Sequence, residues 1–422
     1  MAPVANVVNV TAEVDEGAET AVDIVAGPPK ASVKFRVFAA MAMAASALSI
    51  DSILPAFGKI RAELGLAAGS SATAGLITAF FLGLAVGQIP VGLFADRFGR
   101  RPVLAFSAGV YLVGIAAMAA SHSLASMMAG RFVWGLGAAG LRIAAIAMIR
   151  DRFVGARMAR EMSFVMAVFL VVPVLAPSLG AAILHFFAWR MVLALSAAFG
   201  VLVGGLTLLM PETLVVTDRQ PLRLAQIGVA ARAIRNNRIA LRYALVLTVI
   251  FGVFSSYLAS SERIIGEVFG RKPQFPYLFG GVGVVMGITS ILVGRWVERI
   301  GLVRVIRTSV GAYFVAALAT LVVVLASHGI PSFWPYWVIL TVLLALHNIV
   351  FPNVNSAAMI PLGHVAGTAS AVIGTVSTAV GALMGSLIDH AFDGTVRPLA
   401  IAFALSAVLA AILALPVRSL DE

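Results

Sequence analysis

The sequence has no cysteine, which excludes disulfide bonds, thiolate metal sites and thiol redox chemistry. Charged residues are also scarce, at 12% against about 25% in a soluble domain. Hydrophobic residues reach 61%, where a soluble domain has roughly 45–50%, and the mean hydropathy is +1.01. Because this apolar character extends along most of the 422 residues, the composition predicts a protein with many membrane spans.

The sequence also lacks the motifs of ATP-driven pumps and of hydrolases. It contains no G-x-x-x-x-G-K-[ST] loop, no H-E-x-x-H and no G-x-S-x-G, and its six histidines are scattered. We therefore expect no enzyme activity, no cofactor and no metal site. On a soluble domain the net charge of +11 would suggest nucleic acid binding. In a membrane protein it bears on topology instead, and no nucleic-acid partner is expected.

Continuous apolar runs of about 20 residues predict transmembrane helices, since the strands of a membrane barrel alternate over about 10 residues. Twelve such runs predict an all-α membrane protein with 12 transmembrane helices in a lipid bilayer. The predicted spans are 36–56, 73–95, 103–121, 126–149, 162–186, 191–210, 241–261, 275–296, 306–328, 335–358, 367–388 and 398–416.

Six spans on each side of a polar linker predict two six-helix bundles, at 36–210 and 241–416. Residues 1–35 are predicted to be a disordered cytoplasmic tail, and 417–422 a short cytoplasmic tail. In the linker, 211–240, arginines alternate with apolar residues. This pattern predicts an amphipathic helix on the cytoplasmic leaflet, with a soluble basic linker as the alternative.

The distribution of Lys and Arg predicts that both termini are cytoplasmic. With that orientation, 21 of the 30 basic residues lie inside and seven lie outside, while Arg131 and Arg142 lie within a span. Basic residues are retained in the cytoplasm during insertion, so a threefold bias supports an even number of spans.

A short motif occurs twice, before the third and before the ninth span, at an offset of 202 residues. The two copies are Gly92, Asp96, Arg97 and Gly99 and, in the second half, Gly294, Glu298, Arg299 and Gly301. Pseudo-symmetric halves are typical of transporters, which bind substrate between the halves near the bilayer midplane. The repeat therefore predicts a transporter of a small molecule.

The first copy lies in GLFADRFGRRP, a short turn dense in charge and glycine. Glycine permits tight backbone approach, and Asp96 can accept hydrogen bonds from a helix N-terminus across the bundle. We interpret the turn as a latch that gates transport, with a plain positive-inside anchor as the alternative. The expected gating residues are Gly92, Asp96, Arg97, Gly99, Arg100, Arg101, Glu298 and Arg299. The turn resembles the G-x-x-x-D-R-x-G-R-R loop signature of the major facilitator superfamily.

Further segments resemble the bicyclomycin-resistance (Bcr/CflA) group of drug:proton antiporters, and the resemblance covers about 36–416. They are Asp51-Ser-Ile-Leu-Pro55, Gly87-Gln88, Arg131-Phe-Val-Trp-Gly-Leu-Gly, Ala176-Pro177-Ser-Leu-Gly180, Pro211-Glu212-Thr213-Leu214 and Gly367-Thr-Ala-Ser-Ala371. The resemblance implies two pseudo-symmetric bundles, the MFS fold, in a monomer of the bacterial inner membrane. It also implies export of a drug or metabolite in exchange for protons.

Asp51 is the expected proton site, because a carboxylate in mid-span is costly and by default faces an ion or substrate path. The resemblance places the functional acid of the first span at this position. Its alternative role is local, as an acid that satisfies backbone groups freed by a kink at Pro55. Arg131 is the expected partner that changes the proton affinity of Asp51 as substrate enters. A structural bond between helices is the alternative for Arg131.

Two other residues of the fourth span are candidate substrate contacts. Arg142 lies eleven residues after Arg131 on the same helical face, which would suit an anionic or zwitterionic substrate, unless it extends to the cytoplasmic interface. Trp134 could stack on an aromatic or cationic substrate, or simply pack. The alternative function is therefore proton-coupled uptake or efflux of a small organic anion by Arg131 and Arg142.

Polar residues in the second half complete the expected substrate site, although such residues can also join helices to each other. The full set is Asp51, Arg131, Trp134, Arg142, Tyr257, His347, Asn348 and Asn353. Glu262 and Arg263 are interpreted either as an outer gate or as an exposed ion pair. Pro173, Pro177 and Gly180 supply a bend and close packing, and the resemblance implies that they mark an antiport helix that seals against leak.

Overall fold

The computed structural model describes residues 33–67, 69–222 and 224–417. The predicted tails, 1–35 and 417–422, lie almost entirely outside the described residues. Within the described part the chain forms fourteen α-helices. The first seven are α1 (Val33–Asp51), α2 (Phe57–Glu63), α3 (Gly75–Phe98), α4 (Arg100–Ala119), α5 (Leu124–Arg152), α6 (Gly155–Phe186) and α7 (Arg190–Leu209). The others are α8 (Ala225–Asn236), α9 (Arg238–Arg263), α10 (Phe275–Ile300), α11 (Leu302–Ala326), α12 (Phe333–Met359), α13 (Ala366–His390) and α14 (Arg397–Ala414).

Twelve helical segments among the described residues are long and apolar enough to cross a bilayer, which confirms the predicted all-α fold with 12 spans. The first segment, Val33–Glu63, departs most from its predicted bounds. It consists of α1, the 3₁₀ turn Leu54–Ala56 and α2, so the span continues beyond Pro55. The remaining helix, α8, has 12 residues and lies in the linker.

The outer surface of the helices carries large apolar side chains. Phe106, Leu209 and Val322 are 71%, 75% and 65% exposed. A water-soluble protein rarely exposes contiguous apolar surface, whereas lipid tails provide a suitable environment for it. The surface therefore agrees with the composition in indicating a membrane protein.

Glycines allow the backbones of the first bundle to touch. A Cβ added to Gly114 of α4 would lie 2.2 Å from the amide nitrogen of Trp134, and one added to Gly135 of α5 would lie 2.1 Å from the carbonyl oxygen of Phe80. In membranes, small residues at helix interfaces permit such close van der Waals contact. As a result α5 packs tightly against both α3 and α4.

The sequence repeat is also a structural repeat. Gly99 ends α3 and precedes α4 with φ +105° and ψ 159°, and Gly301 ends α10 and precedes α11 with φ +84° and ψ 152°. This region of φ is strained for residues other than glycine. The offset of 202 residues therefore relates two turns of the same backbone geometry.

The two halves meet along α3 with α13 and along α6 with α10. The Thr375 hydroxyl donates to the carbonyl oxygen of Ala85 at 3.2 Å, and a Cβ at Gly280 would lie 3.0 Å from the carbonyl oxygen of Val174. We call the end of the molecule that contains the α3–α4 and α10–α11 turns the basic end, and the opposite end, which contains α2, the Arg61 end.

The linker helix α8 packs on the second half. Its buried residues Ala230 and Ile234 face α13 and α9, while Arg232 and Arg235 are exposed. The amphipathic pattern in the linker thus corresponds to a helix whose apolar face is partly covered by protein, since Val229 is 56% exposed. The boundaries of the two bundles remain predictions.

The glycine contacts predict a specific loss of stability. Gly114→Ala is expected to lower the melting temperature, because overpacking a tight contact costs about 1–3 kcal/mol. Gly109→Ala in the same helix is the matched control, because a Cβ there has nothing within 4 Å and alanine favours helix. Thermal unfolding of the purified protein in detergent measures both. Equal melting temperatures for the two variants would contradict the proposed role of the α4–α5 contact.

Candidate functional site

The centre of the candidate site is a break in the first span. The helix α1 ends at Asp51, and its last backbone bond runs from the amide of Ser52 to the carbonyl oxygen of Leu48, at 3.1 Å. Pro55 then lies in the 3₁₀ turn, because proline supplies no amide hydrogen to continue the helix. A Cβ at Gly180 of α6 would lie 2.2 Å from the carbonyl oxygen of Ser52. The predicted antiport helix therefore packs directly against the break.

Asp51 is 3% exposed at this break. Its Oδ1 has no hydrogen-bond partner among the described residues, and no hydrogen bond from the broken backbone to this carboxylate is present there. The structure therefore does not show the local role that was the alternative for Asp51. A buried carboxylate left in this way is costly when it is ionised.

Arg131 lies beside Asp51 but does not hydrogen-bond to it. Its Nη1 donates to the carbonyl oxygen of Ser49 at 2.7 Å and its Nε to that of Leu76 at 3.3 Å, while Nη2 has no partner in the described part. Arg131 and Asp51 interact electrostatically through space. The guanidinium thus joins α5 to α1 two residues before the carboxylate.

Aromatic rings fix the position of this arginine. The guanidinium carbon lies 4.5 Å from the ring centre of Phe80 and 4.7 Å from that of Trp134. Trp134 is fully buried, and Phe80 and Tyr111 contact its ring edge-on at 6.1 and 5.8 Å. Trp134 therefore fills the interior of the bundle in this structure, as its packing alternative required.

Ser49 and Tyr111 belong to the same cluster, although the sequence did not single them out. Their hydroxyl oxygens lie 2.8 Å apart, and the carbonyl oxygen of Ala45 lies 2.6 Å from Ser49 Oγ and 3.1 Å from the Tyr111 hydroxyl, so one hydroxyl can donate to the other while the other donates to the carbonyl. The available sequence signal was a serine two residues before Asp51 and a tyrosine inside an apolar span. Neither signal identifies which helices meet.

Tyr257 approaches the carboxylate from the second half. It interacts electrostatically with Asp51, and its ring stacks on Phe279 at 5.8 Å with an interplanar angle of 2°. Tyr257 also lines a recess of about 10 Å³, whose other aromatic residues include Tyr336 and Trp337. Asp51 therefore interacts electrostatically with Arg131 of the first half and with Tyr257 of the second half.

Two other predicted residues of the second half, Asn348 and Asn353, use their side-chain amides to donate hydrogen bonds to helices. The Asn348 amide donates to the carbonyl oxygen of Met286 at 2.8 Å and to Ser290 Oγ at 2.5 Å, which joins α12 to α10. Asn353 donates to the carbonyl oxygen of Ile349 in its own helix at 2.7 Å.

His347 lies in an aromatic stack of the second half. Its ring lies 4.8 Å from that of Phe254 and 6.2 Å from that of Phe351. Its Nδ1 has no partner among the described residues.

Arg142 lies apart from Arg131. It is half-buried and its guanidinium carbon lies 5.9 Å from the ring centre of Phe169 on α6. No carboxylate of the described residues lies within ion-pair distance of it. The two arginines of the fourth span therefore have different surroundings.

At the basic end, the predicted latch is held within the first half. Arg100 pairs with Asp96 and donates to Asp151 Oδ2 at 2.9 Å. Glu212 accepts hydrogen bonds from the backbone amides of Arg100 and Arg101 at 2.9 and 3.1 Å and so caps α4. Asp96 was expected against a helix of the other half, but Arg100 one turn further on is its partner in this structure.

The remaining predicted gating residues make fewer contacts. Arg97, Glu298 and Arg299 are exposed, and none of them forms an ion pair with a described residue. Gly99 is tightly enclosed, because a Cβ there would lie 2.5 Å from Glu212 Oε2, whereas one at Gly92 would have nothing within 4 Å. The second copy of the motif therefore keeps the turn without the ion pairs of the first.

The Arg61 end contains the ion pairs between the halves. Arg61 Nη2 lies 2.9 Å from Glu262 Oε2 and 2.6 Å from Glu267 Oε1, and Nη1 donates to Thr73 Oγ1 at 3.1 Å. Arg61 and Glu262 are both 2% exposed. In the described part of the chain, the other ion pairs lie within the first half. Glu262 therefore pairs across the interface, and the alternative of an exposed pair with Arg263 is wrong.

The comparisons with known proteins agree with this architecture. A sequence profile described as Major Facilitator Superfamily matches residues 39–386. The chain is 28% identical over 352 residues to a bicyclomycin resistance protein homolog of Haemophilus influenzae, covering 83% of this chain and 87% of that protein. It is 27% identical over 241 residues to the multidrug resistance protein MdtL of Salmonella heidelberg, covering 57% of this chain and 59% of that protein.

Two solved transporters show the same fold. The xylose transporter XylE from E. coli, in a partially occluded inward open conformation, has a TM-score of 0.71 at 13% identity and covers 92% of this chain and 97% of its own. A mutant of the nucleoside transporter NupG has a TM-score of 0.68 at 14% identity and covers 92% of this chain and 100% of its own. At these identities the likeness concerns the fold alone.

The ion pairs at the Arg61 end predict that this end opens when they are weakened. Glu262→Gln is expected to lengthen the distance between spin labels on cysteines introduced at His122 and Ser332, two exposed positions in opposite halves. A hydrogen bond to a charged group is worth about 1.5–3 kcal/mol, so the ratio of open to closed molecules should rise about tenfold or more. Double electron–electron resonance measures the distance.

The matched control is Glu63→Gln, because Glu63 pairs with Arg190 inside the first half. The same distance distribution in Glu262→Gln and Glu63→Gln would contradict a closing role for the pair between the halves.

Proposed function

The chain belongs to the Major Facilitator Superfamily, and on that premise we propose that it exports a drug-like molecule or metabolite in exchange for protons. The names of its relatives, a bicyclomycin resistance protein homolog and multidrug resistance proteins, support export. In this proposal Asp51 binds the proton. The transported species is a small molecule, and the protein works as a monomer in the bacterial inner membrane.

One observation carries the proposal, which is the state of the Asp51 carboxylate. It is buried where the first span breaks, its Oδ1 has no hydrogen-bond partner in the described chain, and it interacts electrostatically with Tyr257 of the second half. A purely structural carboxylate in such a place would be expected to have its hydrogen bonds satisfied. A carboxylate that must gain and lose a proton benefits from an incomplete set of partners.

Arg131 and Tyr257 give this carboxylate two different neighbours. Arg131 belongs to the first half and is fixed by the carbonyl oxygen of Ser49, so its charge stays near Asp51 whichever way the halves tilt. Tyr257 belongs to the second half and changes its distance to Asp51 when the halves move. Relative motion of the halves can therefore alter the surroundings of Asp51 while its countercharge remains.

Proton and substrate compete for the site in this proposal. A substrate that is bound while Asp51 is ionised is displaced when a proton neutralises the carboxylate. Each proton supplies about 1.4 kcal/mol per pH unit, and each charge moved adds about 2.3 kcal/mol per 100 mV. The pH gradient and the membrane potential together are therefore sufficient to move substrate against its own concentration gradient without ATP.

Alternating access follows from the unequal ends of the molecule. The Arg61 end is closed by the pairs of Arg61 with Glu262 and Glu267, whereas no ion pair joins the halves at the basic end among the described residues. In this proposal the basic end and both termini are cytoplasmic, which the excess of Lys and Arg on that side supports. The structure then corresponds to a state closed toward the outside, and the latch residues engage the second half when the cytoplasmic end closes.

The proposal predicts that Asp51→Asn abolishes coupling. With the wild type, a gradient of one pH unit should sustain about a tenfold substrate gradient for each proton exchanged. In Asp51→Asn the pH gradient should sustain none, because the amide cannot take up the proton. Substrate accumulation in proteoliposomes under an imposed pH gradient is the measurement.

Glu63→Gln is the control for this experiment, since Glu63 lies in the same span but is bound to Arg190 at the surface. Full retention of pH-driven transport by Asp51→Asn would end the assignment of Asp51 as the proton site.

Transport of a small organic anion is the second candidate, favoured by one observation. The guanidinium of Arg142 is half-buried and has no carboxylate partner in the described chain. A cation in this position could bind the carboxylate of a substrate through paired hydrogen bonds.

The anion candidate predicts that Arg142→Ala raises the KM for an organic anion about tenfold or more, because a charged hydrogen bond is worth about 1.5–3 kcal/mol. Arg150→Ala, an exposed arginine on the same helix, is the matched control. Uptake and efflux of labelled anions in proteoliposomes provide the measurement. Unchanged anion transport in Arg142→Ala would discard this candidate.

A further inference from the structure

A second buried carboxylate lies in the other half of the molecule. Asp389 of α13 is 3% exposed, near the Arg61 end. Its Oδ1 accepts a hydrogen bond of 2.7 Å from Ser256 Oγ, and its Oδ2 has no partner among the described residues. Nothing in the proposed function uses this group.

Close helix packing places Asp389 at this position. A Cβ at Gly385 of α13 would lie 3.0 Å from the amide nitrogen of Ser256, and one at Gly381 would lie 3.0 Å from that of Gly252. Asp389 is one turn beyond Gly385 on the same face, since residues four apart lie on one side of a helix. The contact between α13 and α9 therefore carries the carboxylate into the second bundle and away from lipid.

Arg263 is the counterpart of Asp389 on α9. It is 3% exposed, its Nε and Nη2 have no hydrogen-bond partner in the described chain, and its guanidinium carbon lies 3.8 Å from the ring centre of Phe392. It interacts electrostatically with Asp389 without a direct hydrogen bond. Two opposite charges thus face each other with unused donors and an unused acceptor.

Both groups line a small recess. It has a volume of about 10 Å³, which is room for about one water molecule, and Asp389 and Arg263 are the ionisable side chains that line it. The hydroxyl-bearing residues Ser256, Ser260 and Thr395 also line it. A polar cavity with several donors and acceptors is suited to hold water, which can carry a proton to Asp389 Oδ2.

The other charged groups around this cluster divide into two sets. On the side of α9 and α2, Arg263 interacts with Glu262, Glu267 and Arg61, which form the pairs between the halves. On the side of α13 and α14 the charged or titratable residues are His390, bonded to the carbonyl oxygen of Ser386, Asp393, bonded to Thr395, and Arg397, whose amide is bonded to Thr395. Among the described residues, Arg263 is thus the charged group that interacts with Asp389 and also with the pairs between the halves.

We propose that Asp389 is a second proton-binding site, separate from Asp51, and that its occupancy controls opening of the Arg61 end through Arg263. When Asp389 is ionised, Arg263 balances its charge. When Asp389 Oδ2 takes up a proton, Glu262 and Glu267 become the nearest carboxylates available to Arg263. Arg263 then competes with Arg61 for them and weakens the pairs between the halves. The inference does not depend on Asp51 or on the identity of the substrate.

Infrared difference spectroscopy of the full-length protein between acid and alkaline pH tests proton binding directly. A C=O stretching band of a protonated carboxylic acid should be present in the wild type and in Asp51→Asn, and should be lost in Asp389→Asn. Ser256→Ala should shift this band, because it removes the hydrogen bond to Oδ1. An unchanged set of bands in both Asp389→Asn and Ser256→Ala would overturn the proposal.

Asp393→Asn is the matched control for the spectra, since it lies four residues from Asp389 and is exposed. Partial desolvation raises the pKa of Asp393, but its hydrogen bonds from Thr395 outweigh this effect and hold that pKa below its ordinary value. Its substitution should leave the band of Asp389 in place, and loss of that band in Asp393→Asn would contradict the assignment.

Control of opening is tested with the spin labels on cysteines introduced at positions 122 and 332. The natural sequence has no cysteine, so the labels attach only at these two positions. In an Asp51→Asn background, acid pH should still raise the fraction with the long distance. That response should be lost in Asp51→Asn combined with Asp389→Asn, and kept in Asp51→Asn combined with Asp393→Asn. Absence of any pH response in Asp51→Asn alone, or its persistence without Asp389, would overturn the control by Asp389. Failure of Asp51 as the transport site would instead appear in the flux experiment.

Discussion

The cost of burying charge in an apolar structure is the constraint on which this molecule depends. Only 12% of its residues are charged, yet Asp51, Arg131, Arg61, Glu262 and Asp389 are nearly or fully removed from solvent. An isolated ion in such a place costs several kcal/mol. Each of these buried side chains must therefore have partners that compensate its charge, or a function that requires the charge to be buried. Their partners lie in three places, which are the centre, the Arg61 end and the second bundle.

The three places differ in how completely the charge is satisfied. Arg61 has two carboxylates and a hydroxyl, which suits a contact that must hold the halves together. Arg131 is satisfied mainly by backbone carbonyl groups and aromatic rings, so its position does not depend on the protonation of a carboxylate. Asp51 and Asp389 each keep an oxygen without a partner in the described chain. Arg61 Nε, Glu262 Oε1 and Arg131 Nη2 also lack partners there, so Asp51 and Asp389 differ from Glu262 in having no hydrogen bond from a charged partner rather than in having an unpartnered oxygen.

The sequence predicted the fold well because its main signals are local. Twelve apolar runs require helices in lipid, and glycine with positive φ is required where Gly99 and Gly301 join consecutive helices. The site was harder to predict, since contacts such as that of Arg131 with the carbonyl oxygen of Ser49 depend on helix rotation, which uniformly apolar spans do not define. Likewise the pairing of Arg61 with Glu262 joins residues 201 apart, and no local pattern encodes it.

The two ends of the molecule differ in their electrostatics, and this difference is what a directional cycle requires. Both copies of the repeat lie at the basic end and keep the same turn, yet Asp96 of the first copy pairs with Arg100, while its equivalent Glu298 has no ion-pair partner in the described part of the chain. No ion pair joins the halves at the basic end among the described residues, whereas Arg61 pairs with Glu262 and Glu267 at the opposite end. Placing the strong contacts of Arg61 at one end favours closure there, so proton binding has a defined contact to oppose. The direction of transport can then follow from which end of the molecule meets the higher proton concentration.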